Sequence, residues 1–112
     1  MPRRPHLRVR RALVSGPSMA PTLRHGDQVL VLLGRPGDAA RPGAVVVVEL
    51  PDSVLSVKRV TRVHDDGGIW VEGDNPLGST DSRNFGPLSP EAVRGRVLLR
   101  IWPRPGYIRP SP

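Results

Sequence analysis

Apolar and polar positions alternate along short stretches of this chain, and glycine, proline or aspartate cuts each stretch off. Residues 7–14 alternate in part and predict a first strand. Residues 28–33 predict a second, closed by the prolines and glycines of 34–43. Residues 44–50 carry four consecutive valines, a β-branched run suited to a strand covered on both faces. Residues 54–63 and 69–72 flank Asp65-Asp66-Gly67-Gly68, a strong hairpin signal. Residues 93–102 predict the last strand, and only 89–93 suggests a helical turn. The stretches 15–26 and 73–90 read as loops. A loop as long as the second is, in a compact domain, functional or disordered as a rule. About six short strands with little helix predict an all-β fold, a compact barrel or sandwich.

Within 54–63, one face carries Val54, Ser56, Lys58, Val60 and Arg62, and the other Leu55, Val57, Arg59, Thr61 and Val63. The second set is slightly more apolar and is expected to face the core. Lys58 then lies in mid-strand on the opposite face.

A length of 112 residues is room for one domain. The pattern divides it into a basic arm (1–12), a body (13–102) and a Pro-rich tail (103–112) expected to be loosely held. Net charge is +7, and Arg3, Arg4, Arg8, Arg10 and Arg11 place much of it in the arm. No aromatic residue interleaves them, so a base-stacking platform is missing and no specific nucleic-acid partner is expected. The longest unbroken apolar runs, 29–33 and 44–48, have five residues. A membrane helix needs roughly 20, so the expectation is a chain without a membrane span, cytoplasmic in location. The absence of cysteine removes disulfides, thiolate metal sites and a Cys nucleophile.

Chemistry has to come from the loops. A serine in a turn is ordinarily a turn-former, and its hydroxyl is a poor nucleophile until a base takes its proton. His6, His25 and His64 all read as surface residues, and their spacing resembles no metal site. That leaves Lys58, the single lysine among 17 basic residues. Arginine cannot be deprotonated in a protein, whereas a desolvated lysine can serve as a base. A Ser–Lys pair is a known variant of the nucleophile–base arrangement.

Three blocks then carry a resemblance: Ser18-Met19-Ala20-Pro21-Thr22-Leu23 followed by Gly26-Asp27, then Lys58-Arg59-Val60, then Gly73-Asp74-Asn75 with Ser79-Thr80-Asp81-Ser82-Arg83-Asn84-Phe85-Gly86. In this order they resemble the nucleophile, base and Gly-Asp-Asn segments of the type I signal peptidases. The resemblance implies Ser18 as nucleophile and Lys58 as general base, with Ser79 orienting the lysine. The Ser18 backbone N–H would be an oxyanion donor. Asp81 and Arg83 would form an ion pair supporting the site, with Asp74 and Asn75 as further structural support. No cofactor or metal is implied. Some members add a serine hydroxyl two positions before the nucleophile; here that position is Gly16, which leaves the second donor open, with Ser15 nearby. In length and in residues 66–76, the chain is most similar to a short branch, the nickel-type superoxide dismutase maturation proteases. That branch implies a protein partner, the N-terminal propeptide of a dismutase precursor. The alternatives are an accessory signal peptidase acting on secreted preproteins, or a module like the self-cleaving repressors. The repressors lack the Gly-Asp-Asn block and need a DNA-binding domain for which there is no space before Ser18.

Overall fold

A computed structural model describes residues 8–34 and 40–109. Seven strands form one antiparallel sheet: β1 (Arg8–Leu13), β2 (Gln28–Leu33), β3 (Val45–Glu49), β4 (Leu55–Val63), β5 (Ile69–Glu72), β6 (Val93–Trp102) and β7 (Gly106–Tyr107). The order across the sheet is β1-β2-β6-β3-β4-β5, with β7 paired to β6. The expected all-β architecture stands. The sheet remains open rather than closing into a barrel, with β1 and β5 at its ends.

Two apolar clusters cover it. Val14, Met19, Leu23, Val29, Val31, Val45 and Val97 form one, and Val46, Val48, Val60, Ile69, Val71, Leu88 and Val93 the other. The valine run of β3 alternates between them, Val45 and Val47 packing in the first and Val46 and Val48 in the second. This is the two-sided burial that the run predicts. The same geometry overturns the expectation for β4. Its middle is buried on both faces, Lys58 and Val60 on one and Arg59 on the other, while Leu55, Thr61 and Val63 are exposed. Face alternation misleads here because β4 is covered by other elements only in its centre, and a register irregularity lies between Val60 and Arg62.

The β4–β5 hairpin closes as its sequence predicts. Gly67 N–H donates to the His64 carbonyl, and the Asp66 side chain accepts from Gly68 N–H. Gly67 has φ +91°, in the left-handed region where glycine carries no Cβ penalty. Two expectations need correction. The stretch 73–90 holds a short helix, α1 (Ser82–Phe85), and returns to the sheet through paired backbone bonds of Leu88 with Ile69. Up to Arg109 the tail is tied to the sheet as well, since β7 pairs with Leu99 and Arg100, Ile108 packs on the first core cluster and the Arg109 carbonyl accepts from Arg59. At the other end, the boundary drawn at residue 12 falls within β1, whose Arg8, Arg10 and Arg11 are exposed. Arg3, Arg4 and His6 lie outside the described residues.

Candidate active site

The loop bearing Ser18 is held by its own apolar residues. Met19 and Leu23, 1 % and 0 % exposed, plug into the first core cluster; Met19 lies within the turn in which Ala20 N–H donates to the Pro17 carbonyl, and Leu23 N–H donates to the Met19 carbonyl. Ser18 stays half-buried, and its carbonyl accepts from Asn75 N–H at 2.9 Å while the Asn75 side chain donates to the Pro17 carbonyl. The Gly-Asp-Asn segment is thus laid directly along the Ser18 loop. Gly73 makes the approach possible. A Cβ on it would sit 2.5 Å from the Ser18 carbonyl oxygen and closer still to Ser79 Oγ.

Lys58 reaches the same place from β4. Its side chain is 2 % exposed, and Nζ donates to Ser79 Oγ at 3.0 Å. Ser79 Oγ in turn donates to Asp81 Oδ2 at 2.7 Å. Asp81 is fully buried and caps α1, accepting from Gly73 N–H, Arg83 N–H and the Arg83 guanidinium. Burial by itself would raise its carboxyl, but the bonds from Arg83, Ser79 and Gly73 outweigh it and hold the group far below the usual carboxylate range. For Lys58 the balance runs the other way. Desolvation lowers its amine below the ordinary value, Asp81 opposes this, and Arg83 adds to it.

Arg59, the next residue of β4, points to the opposite face and builds a second network. Its Nε and one terminal nitrogen clasp both oxygens of Asp74 at 2.9 and 2.8 Å, and the other terminal nitrogen donates to the carbonyls of Gly43 and Arg109. Asp74 also accepts from Thr22 Oγ1, so β4 is cross-linked to the Ser18 loop. Burial works against ionised Asp74, yet Arg59 and Thr22 hold its carboxyl below the usual value.

Ser18, Lys58, Ser79, Asp81, Arg83, Asp74 and Asn75 therefore converge around Gly73. A lysine amine that donates to Ser79 and whose pKa is lowered by burial has the chemistry of a base, and Ser18 is a half-buried serine on the loop pinned against Gly73. No hydrogen bond joins Ser18 Oγ to Lys58 Nζ among the described residues; such bonds are often formed only with substrate in place. No acceptor for the Ser18 N–H, the expected oxyanion donor, is found among the described residues. Gly16 offers no second donor, because its N–H is taken by His25 Nδ1 at 3.0 Å.

Sequence reasoning passed over several contributors. Met19, Leu23 and Thr22 anchor the loop, and the apolar residues flanking Ser18 at intervals are a signal for the first two. Arg59 was expected to face the core, and its pairing with Asp74, fifteen residues on, had no local signal. His25, expected on the surface, is exposed but braces the loop; His64 is half-buried, edge-on to Trp70, with a buried Nε2 that has no partner. The resemblance gave Ser82 no role of its own. It is buried, and its Oγ accepts from Val71 N–H.

Residues 8–97 match the family described as Peptidase S24-like. Similar proteins include mitochondrial inner membrane protease subunit 1 of Xenopus tropicalis, 37% identical across 81% of this chain and 68% of that protein. The subunit 1 of Homo sapiens is 34% identical, covering 89% and 75%, and that of Schizosaccharomyces pombe 35%, covering 86% and 75%. These relatives overturn the expectation of a cytoplasmic protein, since their names place them at a membrane. Among the described residues no helix is long and apolar enough to cross one. Short apolar runs spoke only to spanning helices and had no bearing on attachment to a membrane.

Proposed function

The chain belongs to the Peptidase S24-like family, and on that footing we propose that it is a serine endopeptidase in which Ser18 is the nucleophile and Lys58 the general base. Ser18 Oγ attacks the scissile carbonyl while its proton passes to the neutral amine of Lys58. The tetrahedral oxyanion accepts a hydrogen bond from Ser18 N–H. The lysine then protonates the leaving amine, and a water activated by the same lysine releases the acyl group. The observation that carries this reading is the buried Lys58 amine, held on Ser79 above the glycine against which the Ser18 loop is pinned. Asp81, Arg83, Asp74 and Asn75 position these groups without touching the substrate.

The substrate is a precursor protein from which an N-terminal segment is removed. The nickel-type superoxide dismutase precursor rests on the sequence resemblance alone. A second candidate is a preprotein delivered at a membrane, and the names of the relatives favour it. Purified protein and its Ser18→Ala variant are incubated with each precursor, and the new N-terminus is read by mass spectrometry. Cleavage should be lost in Ser18→Ala with the thermal melt unchanged. A Ser18→Ala protein that processes at the normal rate would falsify the assignment, and the precursor cut by the wild type decides between the two substrates.

A further inference from the structure

After β7 the chain runs through Ile108 and Arg109, which line two adjoining cavities of about 340 and 200 Å³. Along β6, β3 pairs with Val93, Gly95 and Arg96, and β7 with Leu99 and Arg100. Val97 and Leu98 face the break between them, where the smaller cavity opens. Arg109 and Arg100 wall the larger cavity with Thr22 and Tyr107; Arg109, Arg41 and Arg96 wall the smaller. Among the described residues, no aspartate or glutamate lines either cavity.

Among the described residues, Arg59 is matched by Asp74, Arg83 by Asp81 and Arg94 by Glu49, while arginines scattered over the surface, such as Arg8, Arg24 and Arg62, make no ion pair. Among the described residues, Arg41, Arg96 and Arg109 have no carboxylate, and Arg100 has only a 3.5 Å contact with Asp27. Arg100 is moreover oriented, donating to the carbonyls of Thr22 and Arg104. Arg109 is fastened through its carbonyl to Arg59, beside Lys58. The groove is thus fixed to the strand that carries the lysine and to the loop that carries Ser18.

We propose that this groove is an exosite for an acidic stretch of the precursor protein, binding Asp and Glu side chains away from the scissile bond. The proposal rests on the endopeptidase reading for its biological sense. Guanidinium groups present planar forks that match carboxylates bidentately, which a bias toward arginine favours. Thr22 is four residues from Ser18, a separation of at most about 14 Å, so a bound chain spans both with about four or five residues. Concave walls suit a polypeptide better than the plane of a bilayer. Tyr107, a lone aromatic, offers no run of stacking surfaces for nucleic acid.

The test uses the full chain carrying Ser18→Ala and a fluorescein-labelled hexaglutamate peptide, with hexaglutamine as control, followed by anisotropy at low salt. Hexaglutamate should bind and hexaglutamine should not. Arg41→Glu with Arg96→Glu should weaken binding about 10-fold or more, because like charges now face the peptide. Arg8→Glu with Arg10→Glu makes the same change in net charge on exposed β1 and should leave binding within about twofold. The milder pair Arg41→Gln and Arg96→Gln should shift affinity in the same direction as the reversals. Equal losses from the two glutamate pairs, or no binding at all, overturn the proposal. Preference for phosphatidylglycerol vesicles or a single-stranded oligonucleotide through Arg41 and Arg96 overturns its commitment to a protein segment. With active enzyme and a cleaved precursor bearing an acidic stretch, the Arg41/Arg96 pair should raise KM and spare kcat. Failure of the Ser–Lys reading is scored separately, by cleavage persisting in Ser18→Ala.

Discussion

Ser79 donates its hydroxyl hydrogen bond to Asp81 across 2.7 Å, and this fixes what Ser79 can do for Lys58. Asp81 is held ionised and can only accept. The hydroxyl therefore has lone pairs alone to offer the lysine, which donates one N–H to it at 3.0 Å. A neutral amine bound in this way keeps its own lone pair free to take a proton. Were Ser79 to point its hydrogen at Lys58, that lone pair would be occupied.

Lys58→Arg should be as inactive as Lys58→Ala, since a guanidinium keeps the charge and cannot accept a proton at working pH. In the wild type, burial lowers the lysine below its ordinary 10.5. The base works when deprotonated, so kcat/KM should rise with pH through that lowered value and fall away on the acid side. A profile flat through the neutral and alkaline range, or an active arginine variant, counts against a lysine base.

Ser79→Ala should slow cleavage about 10- to 1000-fold, corresponding to about 1.4–4 kcal/mol of lost positioning. Thr80, exposed in the same segment, is the proper control and should be silent as Thr80→Ala. Ser82→Ala is a stability variant instead. It strands the buried Val71 N–H, at a cost of about 1–3 kcal/mol, visible as a lower thermal midpoint.

Gly73→Ala should abolish activity out of proportion to its effect on the fold. The added methyl must displace Ser79 or the Ser18 backbone, both of which belong to the site. Activity and circular dichroism melts on the same sample check this. A Gly73→Ala enzyme with near-normal turnover would mean that Ser18 and Ser79 do not work together here.

Arg59→Leu should cost about 3–5 kcal/mol, because it leaves Asp74 buried without its guanidinium. Acid should reveal the same carboxylates. Asp74 and Asp81 have folded values depressed below the ordinary 3.8, so their contribution is fully present above that pH. It is lost as pH falls through the folded values, giving a melting temperature that is steady near neutrality and drops only in strong acid. Asp81→Asn should flatten that acid drop and lower stability at neutral pH.

Much was already decided by local order along the chain. The bounds of 28–33, 69–72 and 93–102 coincide with β2, β5 and β6, because periodicity and the Gly, Pro and Asp breaks that end it are properties of neighbouring residues. The valine run declared its two-sided burial, and the three blocks named Ser18 and Lys58 as candidates before any fold was known. What only the tertiary structure decided are relations between distant residues. The burial of both Lys58 and Arg59 depends on which elements cover the middle of β4, which alternation does not encode. The direction of the Ser79 proton depends on an ionised Asp81, itself held by Arg83 and the Gly73 N–H. The clasp of Arg59 on Asp74, the reach of Thr22 to Asp74 and the docking of 106–109 join residues brought together by folding. Ser82 becomes a buried acceptor for the Val71 N–H for the same reason. Side-chain identity can be read in one dimension, but burial and hydrogen-bond polarity are set by the neighbours that the fold supplies.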